Sequence, residues 1–346
     1  MNCGTQRDII LCEIRKNPRY REERTEYRVK AAQRRSLQTK ESAIDRGRNW
    51  FRSFWKCRQL YVMILPAVVA VFIFHYIPIY GVQIAFRNFR SSLGIWGSPW
   101  VGLEHFKRFV QMPFFGRIMK NTIVISLYSL ATFPCAVVLA LLLNELRNKA
   151  FKKTIQMISY APHFISTVVV CSMLMLFFDK NKGLVNNIIA YFGGERVSFL
   201  EQPKYFVSLY VWSGVWSNIG WNTIIYLAAL AAVSPELIEA ARMDGASRIQ
   251  ILCHIHFPSI LPTVITMLIL STGNILNVGF EKIYLLQNPL NLDASQVIST
   301  YVYEVGMGSH QFSYSAAIGL FNNVVNVLCI ILVNRISRAV TQISMW

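Results

Sequence analysis

Six long stretches of this 346-residue chain contain no Asp, Glu, Lys or Arg. Each exceeds the roughly 20 residues that a helix needs to cross the hydrocarbon core of a bilayer. A charged side chain at the centre of a bilayer costs about 2.5–3.5 kcal/mol even on the mildest scale, so the absence of charge has a physical meaning. A buried helix of a soluble protein can mimic one such stretch, but not six in one chain. The stretches are 59–86, 121–144, 154–178, 205–235, 249–280 and 305–334.

The chain as a whole is apolar in composition. Hydrophobic residues make up 53% of it and charged residues only 15%, whereas soluble domains contain about 25% charged residues. This composition excludes a disordered chain and argues against an ordinary soluble enzyme. We therefore predict an all-α integral membrane protein with six transmembrane helices. The predicted helices one to six cover 61–85, 122–143, 157–178, 206–232, 259–280 and 313–334.

Residues 1–59 are polar and basic. They hold 16 Lys and Arg against 7 Asp and Glu, and the whole chain has a net charge of +17. Because much of the excess lies in this segment and the rest of the chain is apolar, we do not expect a nucleic-acid partner. We predict a cytoplasmic tail that is partly disordered, or a surface helix near 20–45 that touches anionic membrane lipid. No apolar run of the signal-peptide kind follows Met1, which agrees with a cytoplasmic tail.

The distribution of Lys and Arg between the predicted loops indicates which ends face the cytoplasm. With the N-terminus inside, the inner segments hold 24 Lys and Arg and the outer ones 11; counting only residues 41–59 of the tail reduces the inner number to 13. Positive residues favour the cytoplasmic side, so we expect both termini to be cytoplasmic. The predicted domains are a tail over 1–59, a transmembrane domain over 60–340 with a cytoplasmic loop at 234–258, and a C-terminal tail over 341–346.

The loop between helices four and five, residues 234–258, has the local signals of a helix-turn-helix. Ser234 is a good N-cap, and Pro235 suits the first helical position. Gly245 can adopt the left-handed conformation that ends a helix. We expect a second short helix to follow and to stop at Pro258. The small residues of this loop would let another protein approach closely.

The spacing within this loop resembles the EAA loop of the permease subunits of bacterial type I ABC importers. After Glu239-Ala240-Ala241 come three residues, Gly245, nine residues, Ile255, one residue, Phe257 and Pro258. The family usually has Leu where Phe257 stands. The resemblance implies a coupling helix that docks in a groove of a cytoplasmic ATPase; an ordinary amphipathic connector is the alternative. The coupling positions carried over from the family are Glu239, Ala240, Ala241, Asp244, Gly245, Ile255 and Pro258.

Two further segments resemble one class within that family. Pro78-Ile79-Tyr80-Gly81 and the stretch from Gly97 to Leu103 look like the permeases of the carbohydrate-uptake class, in its branch for complex or acidic oligosaccharides such as alginate- or pectin-derived sugars. The resemblance covers roughly 60–340. It implies a multi-pass subunit of the bacterial plasma (inner) membrane that forms the path for an oligosaccharide. The implied partners are a second permease subunit in a heterodimer, two cytoplasmic ABC ATPase subunits and an extracytoplasmic solute-binding protein.

The chain contains no GxxxxGK[ST] phosphate-binding loop. We therefore expect a transport subunit and not an enzyme, with no cofactor of its own, and with ATP and Mg bound by a partner ATPase. The uncharged stretches also lack the ionisable groups that proton- and sodium-coupled carriers commonly place in the membrane. A secondary carrier or channel, a permease for a non-sugar solute, and a membrane anchor without a path remain the alternatives.

Uncharged polar and aromatic side chains in the predicted helices are candidates for the substrate path. Amides can bind sugar hydroxyls, and an aromatic face can stack on a sugar ring. The alternative is hydrogen bonding between helices, as the four-residue spacing of Asn322 and Asn326 indicates. We expect no catalytic residue and no metal site, since His254 and His256 do not share a helical face. The candidate path residues are Trp216, Asn218, Trp221 and Asn222 on helix four, and Asn274 and Asn277 on helix five.

Overall fold

The structure is a computed structural model that describes residues 58–273 and 275–341. Within these ranges the regular structure is helical, apart from two isolated β-bridges, and the predicted all-α class is confirmed there. The tail up to residue 57, Asn274 and residues 342–346 lie outside the described residues. The predictions that fall on them, including the path role of Asn274, stay predictions.

Among the described residues, four helical runs are long and apolar enough to cross a membrane, and two bent helix pairs bring the number to six if each pair is one crossing. Helices one, two, five and six are the four runs. Helices three and four belong to the bent pairs. The four runs are Arg58–Phe86, Phe115–Glu145, Arg248–Thr272 and Phe312–Ala339, and the pairs are Lys149–Phe164 with Thr167–Phe177, bent by 101°, and Pro203–Ala231 with Pro235–Met243, bent by 72°.

Helix one changes its hydrogen-bonding pattern ahead of a proline. It begins as an α-helix at Arg58–Val71 and continues through a π-turn at Phe72–Tyr76, in which Ile77 N–H bonds to Phe72 O. Pro78 follows and has no N–H to donate, so the wider turn accommodates its ring without ending the run. The run ends as Ile77–Ile79 and the 3-10 segment Tyr80–Phe86. Contacts divide the chain into two compact units at Tyr80, and helix one up to that residue belongs to the first.

Helix two consists of two α-helical segments, Phe115–Ala131 and Pro134–Glu145. Pro134 stands at the start of the second segment, where its missing N–H is not needed. The second segment buries Ala136, Val137 and Ala140 in a cluster with side chains of helices four and five. This packing places the C-terminal end of helix two, at Glu145, beside the start of helix five.

Helix three is not the single helix that the uncharged stretch predicts, and this prediction was wrong. The structure has helix 3a at Lys149–Tyr160, a 3-10 segment at Ala161–Phe164, and helix 3b at Thr167–Phe177. The break follows from Pro162, which lacks a donor, and from Ser166, whose hydroxyl accepts a bond from Val169 N–H and starts a new helix. Helix 3b has 11 residues and rises only about 17 Å, roughly half of the hydrocarbon core.

Helix four, Pro203–Ala231, packs on both helix two and helix 3a. Gly220 allows the close approach to helix 3a. A Cβ atom at this position would lie 2.8 Å from Tyr160 Cδ1 and closer still to the carbonyl group of Ser159. The predicted bounds, 206–232, agree with the structure to within three residues.

Helix five differs from the prediction at both ends. It begins at Arg248–Ile251, passes through a π-turn at Leu252–His256, and continues as Phe257–Thr272. Pro258 therefore does not stop a helix, because Phe257 N–H bonds to Leu252 O in the wider turn ahead of the proline. The helix ends at Thr272 instead of near 280, so Asn277 lies in an irregular segment and not on helix five.

The remaining elements are short helices, some of which pack against helices two and four. Arg117 at the start of helix two forms an ion pair with Asp293 at 2.6 Å. A buried cluster that includes Ile125, Phe206, Ile283 and Val297 joins these elements to helices two and four. The short helices are Gly94–Gly97, Glu104–Val110, Leu184–Tyr191, Phe280–Leu286, Leu292–Ser295 and Ile298–Tyr303, followed by a π-turn at Glu304–Gly308 and by helix six, Phe312–Thr341.

Candidate functional site

Residues 234–258, which we call the coupling hairpin, turn through a glycine in the left-handed conformation. Its first helix is Pro235–Met243, and Gly245 has φ +82°. Gly245 N–H bonds to Arg242 O at 3.1 Å, and Ala246 N–H bonds to Ala241 O at 2.9 Å. These two bonds form a Schellman motif, which satisfies the last carbonyl groups of the helix. The predicted helix end at Gly245 is confirmed.

The two helix starts in the coupling hairpin are capped differently. Ser234 occupies the N-cap position, but its hydroxyl makes no capping hydrogen bond. Ser247 forms a capping box with Gln250: Ser247 N–H bonds to Gln250 Oε1 at 2.7 Å, and Gln250 N–H bonds to Ser247 Oγ at 3.4 Å. This cap was not among the predicted features, although the Ser-x-x-Gln spacing is its known signal.

The coupling hairpin exposes large apolar side chains on its surface. Leu237 is 57% exposed, Met243 87% and Ile249 75%. Exposed apolar patches of this kind typically mark a protein–protein contact. The predicted coupling residues Glu239, Ala240, Asp244, Gly245 and Pro258 are also exposed, while Ala241 and Ile255 are half-buried.

His256 connects the coupling hairpin to helix two. The imidazole is buried, and its Nε2 lies 3.3 Å from Glu145 Oε1. The sequence did not predict this contact of His256. Among the described residues no group of three or more His, Cys, Asp or Glu side chains could hold a metal ion.

A cavity of about 490 Å³ lies between helix two, helix four and the chain that follows helix five, and we call it the polar cavity because Asn, Ser, Thr and Lys side chains interrupt its largely apolar lining. Its volume is within the range typical of small-molecule sites. Asn218 and Asn222, both predicted as path residues, line it. Asn222 also lines a cavity of about 280 Å³ with Asn277 and one of about 230 Å³ with Trp221. The structure thus brings four of the predicted path residues to three neighbouring cavities.

His163 organises the aromatic part of this region. Its ring stacks on Trp221 at a centroid distance of 4.4 Å and an angle of 8°. Its Nδ1 lies 3.1 Å from Asn218 Oδ1. His163 is not among the path residues predicted from the sequence. Trp216 faces elsewhere, into an apolar groove of about 560 Å³ that it lines with Trp212 and Phe177.

Amides on helix six hold the irregular segment that carries Asn277. Asn322 Nδ2 donates to Asn277 Oδ1 at 2.7 Å, and Asn326 Oδ1 accepts from Leu276 N–H at 3.0 Å. Gly279 N–H bonds to the hydroxyl of Tyr210 at 3.1 Å. Side chains from helices six and four therefore replace the helical hydrogen bonds that this segment lacks.

Lys282 lies at the edge of the polar cavity, just beyond the uncharged stretch 249–280. Its Nζ donates to Tyr210 O at 2.8 Å and sits 4.8 Å from the centre of the Tyr210 ring. Burial lowers the pKa of Lys282 to about 8, because desolvation disfavours the charged form. Lys282 is not among the predicted path residues, all of which lie inside the uncharged stretches.

Comparisons with known proteins agree with this architecture. Residues 133–342 match the family model described as "Binding-protein-dependent transport system inner membrane component". The chain is 44% identical over 282 residues to the polygalacturonan/rhamnogalacturonan transport system permease protein YteP of Bacillus subtilis (strain 168), covering 81% of this chain and 88% of the relative. It is 41% identical over 298 residues to Protein LplB of the same organism, covering 86% and 94%.

Two solved structures have the same fold. One is the crystal structure of a bacterial ABC transporter involved in the import of the acidic polysaccharide alginate, with a TM-score of 0.78 and 38% identity over 85% of this chain and 99% of that one. The other is a bacterial alginate ABC transporter in complex with an alginate pentasaccharide-bound periplasmic protein, with a TM-score of 0.78 and 37% identity over the same shares of the two chains.

The chain belongs to the family of binding-protein-dependent transport system inner membrane components. It is a permease subunit of an ABC importer and a protein of the inner membrane, and the predicted class is confirmed. As a permease, it is the transport component of such a system, in which a partner subunit hydrolyses ATP.

Proposed function

We propose that this permease forms, with a second permease subunit, the path of an acidic oligosaccharide across the inner membrane. The observation that supports this best is the polar cavity, where the amides of Asn218 and Asn222 and the hydroxyls of Ser129 and Thr132 are grouped. Such groups bind sugar hydroxyls without a fixed charge. The relatives support the acidic class, since polygalacturonan is a polyuronate and alginate is an acidic polysaccharide.

The assembly we propose contains this chain, a different permease, two cytoplasmic ABC ATPases and an extracytoplasmic solute-binding protein. The ATPases would bind ATP and Mg²⁺, and this chain would hold no cofactor. A solved relative in complex with a periplasmic protein supports the last of these partners. We propose that both termini and the coupling hairpin face the cytoplasm, with the tail 1–59 and the segment 341–346 flanking a transmembrane domain over 60–340.

The mechanism we propose starts at the coupling hairpin. The ATPases close on ATP and pull on the exposed surface around Glu239, Ala240 and Gly245. The pull moves helices four and five, and the path changes from inward-open to outward-open, when the binding protein delivers the sugar. Hydrolysis resets the assembly. The hairpin biases this equilibrium only if the ATPase binds it with different affinity in the two states.

We place Asn218, Trp221, Asn222 and Asn277 on the path, because each lines one of the three neighbouring cavities. The hydrogen bond between Asn277 and Asn322 gives Asn277 a packing role as well. The path role of Trp216 stays a prediction, since this side chain lines the apolar groove instead.

The proposal is tested by reconstituting the assembly in liposomes with its binding protein and measuring the uptake of oligogalacturonates. Gly245→Pro and Glu239→Lys should abolish uptake and sugar-stimulated ATP hydrolysis while the protein still inserts in the membrane. Full uptake by both variants would refute the coupling role. Trp221→Ala and Asn277→Ala should weaken uptake while the ATPases still co-purify; loss of the ATPases would indicate packing instead.

The same preparation distinguishes the other classes of protein. Uptake that survives ATP depletion but collapses with the proton gradient would indicate a secondary carrier. Purification that never recovers an ATPase would indicate a membrane scaffold. Uptake of a non-sugar solute alone would leave the importer class intact and overturn the substrate.

A further inference from the structure

We propose that Lys282 is the residue of the polar cavity that binds the carboxylate of an acidic sugar unit. This inference rests on the proposed function and makes it more specific, since it assigns one named cation to the feature that distinguishes a uronate from a neutral sugar.

The ammonium group of Lys282 is held at the wall of the cavity. Its Nζ donates one hydrogen bond to Tyr210 O, at 2.8 Å. A lysine ammonium has three donors, so this contact leaves donors for a ligand. Gly214 of helix four lines the same cavity, and a Cβ atom there would come within 3.4 Å of Lys282 Nζ. The absence of a side chain at Gly214 keeps this approach to the ammonium open.

Lys282 has no acidic partner in the described part of the chain. Ion pairs there join Arg117 to Asp293 and His256 to Glu145, and neither involves Lys282. Glu281 also lines this cavity, but its carboxylate forms no ion pair with the ammonium of Lys282. A cation that is mostly removed from water without a counter-charge lowers the stability of the fold. An anionic ligand in the cavity would supply the missing counter-charge.

Other polar side chains that line the cavity with Lys282 suit the rest of a sugar ring. Asn218 and Asn222 can donate to and accept from hydroxyls, and Ser129 and Thr132 add two hydroxyls from helix two. A charge-assisted bond from Lys282 to a carboxylate is stronger than each of these neutral bonds. A uronate unit can therefore pair with Lys282 as well as with the neutral groups, whereas a neutral sugar leaves the ammonium without a counter-charge.

The test compares trigalacturonate with its methyl ester, which has the same rings and no charge. The assembled complex is placed in phosphatidylcholine nanodiscs, and the affinity for each sugar is measured by the ligand-induced shift in melting temperature. We expect wild type to prefer trigalacturonate over the ester. Lys282→Met should weaken the binding of trigalacturonate by about 10- to 100-fold and leave the ester unchanged.

The control variant is Lys204→Met. Lys204 also lies over a tyrosine ring, with Nζ 4.6 Å from the centre of Tyr205, but it is outside the cavity. The Lys204→Met variant should keep the wild-type preference for trigalacturonate over its methyl ester. Loss of both ligands in Lys282→Met would indicate a packing role and overturn the inference, as would unchanged binding of trigalacturonate.

A lipid phosphate is the other source of an anion for Lys282. Repeating the measurement in phosphatidylglycerol nanodiscs separates the two. If Lys282→Met changes the stability of the complex only in the anionic lipid and leaves trigalacturonate binding unchanged, the lysine binds a lipid headgroup and the inference fails. If wild type neither binds nor imports trigalacturonate, the proposed function fails before the role of Lys282 is reached.

Discussion

His256 Nε2 lies 3.3 Å from Glu145 Oε1, and this contact joins the coupling hairpin to the end of helix two. The surrounding hairpin surface is exposed, whereas His256 and Ile251 are buried. Among the described atoms, His256 Nδ1 has no hydrogen-bond partner. Glu145 is therefore the polar partner of this imidazole among the described residues. Through this contact, a displacement of the hairpin would also act on the end of helix two.

Removing the acceptor of this contact should destabilise the hairpin. In Glu145→Ala both nitrogens of the buried imidazole lack a protein partner, and we expect the free energy of unfolding to fall by about 1–3 kcal/mol. Glu145→Gln retains a hydrogen-bond acceptor, so its free energy of unfolding should fall by less. The measurement is the melting temperature of the assembled complex together with sugar-stimulated ATP hydrolysis. A wild-type melting temperature for Glu145→Ala would show that the contact contributes nothing to stability.

The left-handed glycine of the hairpin permits a matched comparison. Gly245 has φ +82° and Gly193 has φ +80°, and neither has an atom within 4 Å of the position of a Cβ. Alanine at either site should therefore cost about 1–2 kcal/mol of backbone strain without a clash. Only Gly245→Ala should lower sugar-stimulated ATP hydrolysis. If Gly193→Ala lowers it equally, the effect is one of general stability and not of coupling.

The hairpin was the part of the site most accessible to sequence analysis, because its signals are local. The helix start at Pro235 and the left-handed turn at Gly245 depend on the conformations that proline and glycine favour. The error at Pro258 was also local in origin. A π-turn moves the hydrogen bonds to i→i−5, and no residue type specifies in advance that this will happen.

The close packing of helix four on helix 3a should depend on Gly220. In Gly220→Ala the new methyl group would collide with the backbone of Ser159 and the ring of Tyr160, so we expect a loss of about 1–3 kcal/mol or more. Gly319→Ala is the control, since this helix-six glycine has open space around it and the substitution should stabilise by about 0.5–1 kcal/mol. A melting temperature that rises in both variants would show that helix 3a moves away without cost.

The conformation of the irregular segment after helix five should depend on the side-chain amide of Asn326. In Asn326→Leu the buried N–H of Leu276 loses its acceptor, and we expect a loss of about 1–3 kcal/mol together with weaker uptake. Asn323→Leu is the control, because Asn323 is exposed on the same helix. Uptake should be measured at equal amounts of assembled complex. Wild-type uptake by Asn326→Leu would mean that the segment keeps its shape without this bond.

The cavity itself was not predictable from the sequence. The uncharged stretches indicated the helices but not the break at Ser166 or the early end of helix five at Thr272. The early end of helix five depends on contacts distant in sequence, Asn326 to Leu276 and Tyr210 to Gly279. The break at Ser166 has local causes, Pro162 and the Ser166 cap, but the long uncharged stretch concealed them. Asn222 and Lys282 come together only because helix five ends early and the chain then passes helix four.

The stability of the assembled complex should depend on pH through Lys282. Its pKa is lowered to about 8 by burial from an ordinary value of 10.5, and the Cys171 thiol opposes this shift only in part. The unfolded chain therefore binds more protons than the folded one between about pH 8 and 10.5, so stability rises with pH in this window. Across this window the free energy of unfolding should rise by a total on the order of 3 kcal/mol.

This pH dependence is isolated by comparing wild type with Lys282→Met. Tyr210 from helix four, Cys171 from helix 3b and Glu281 are the titratable groups near Lys282, and all three remain in the variant. The variant should be more stable than wild type below about pH 8, and the difference should shrink as pH rises towards 10.5. The difference in stability between Lys204→Met and wild type should not change in this way with pH. Because saturating trigalacturonate would supply the counter-charge, it should abolish the low-pH advantage of Lys282→Met. A pH-independent difference between the two proteins would mean that Lys282 keeps an ordinary pKa in the membrane, and that the cavity holds no unpaired charge for a uronate to neutralise.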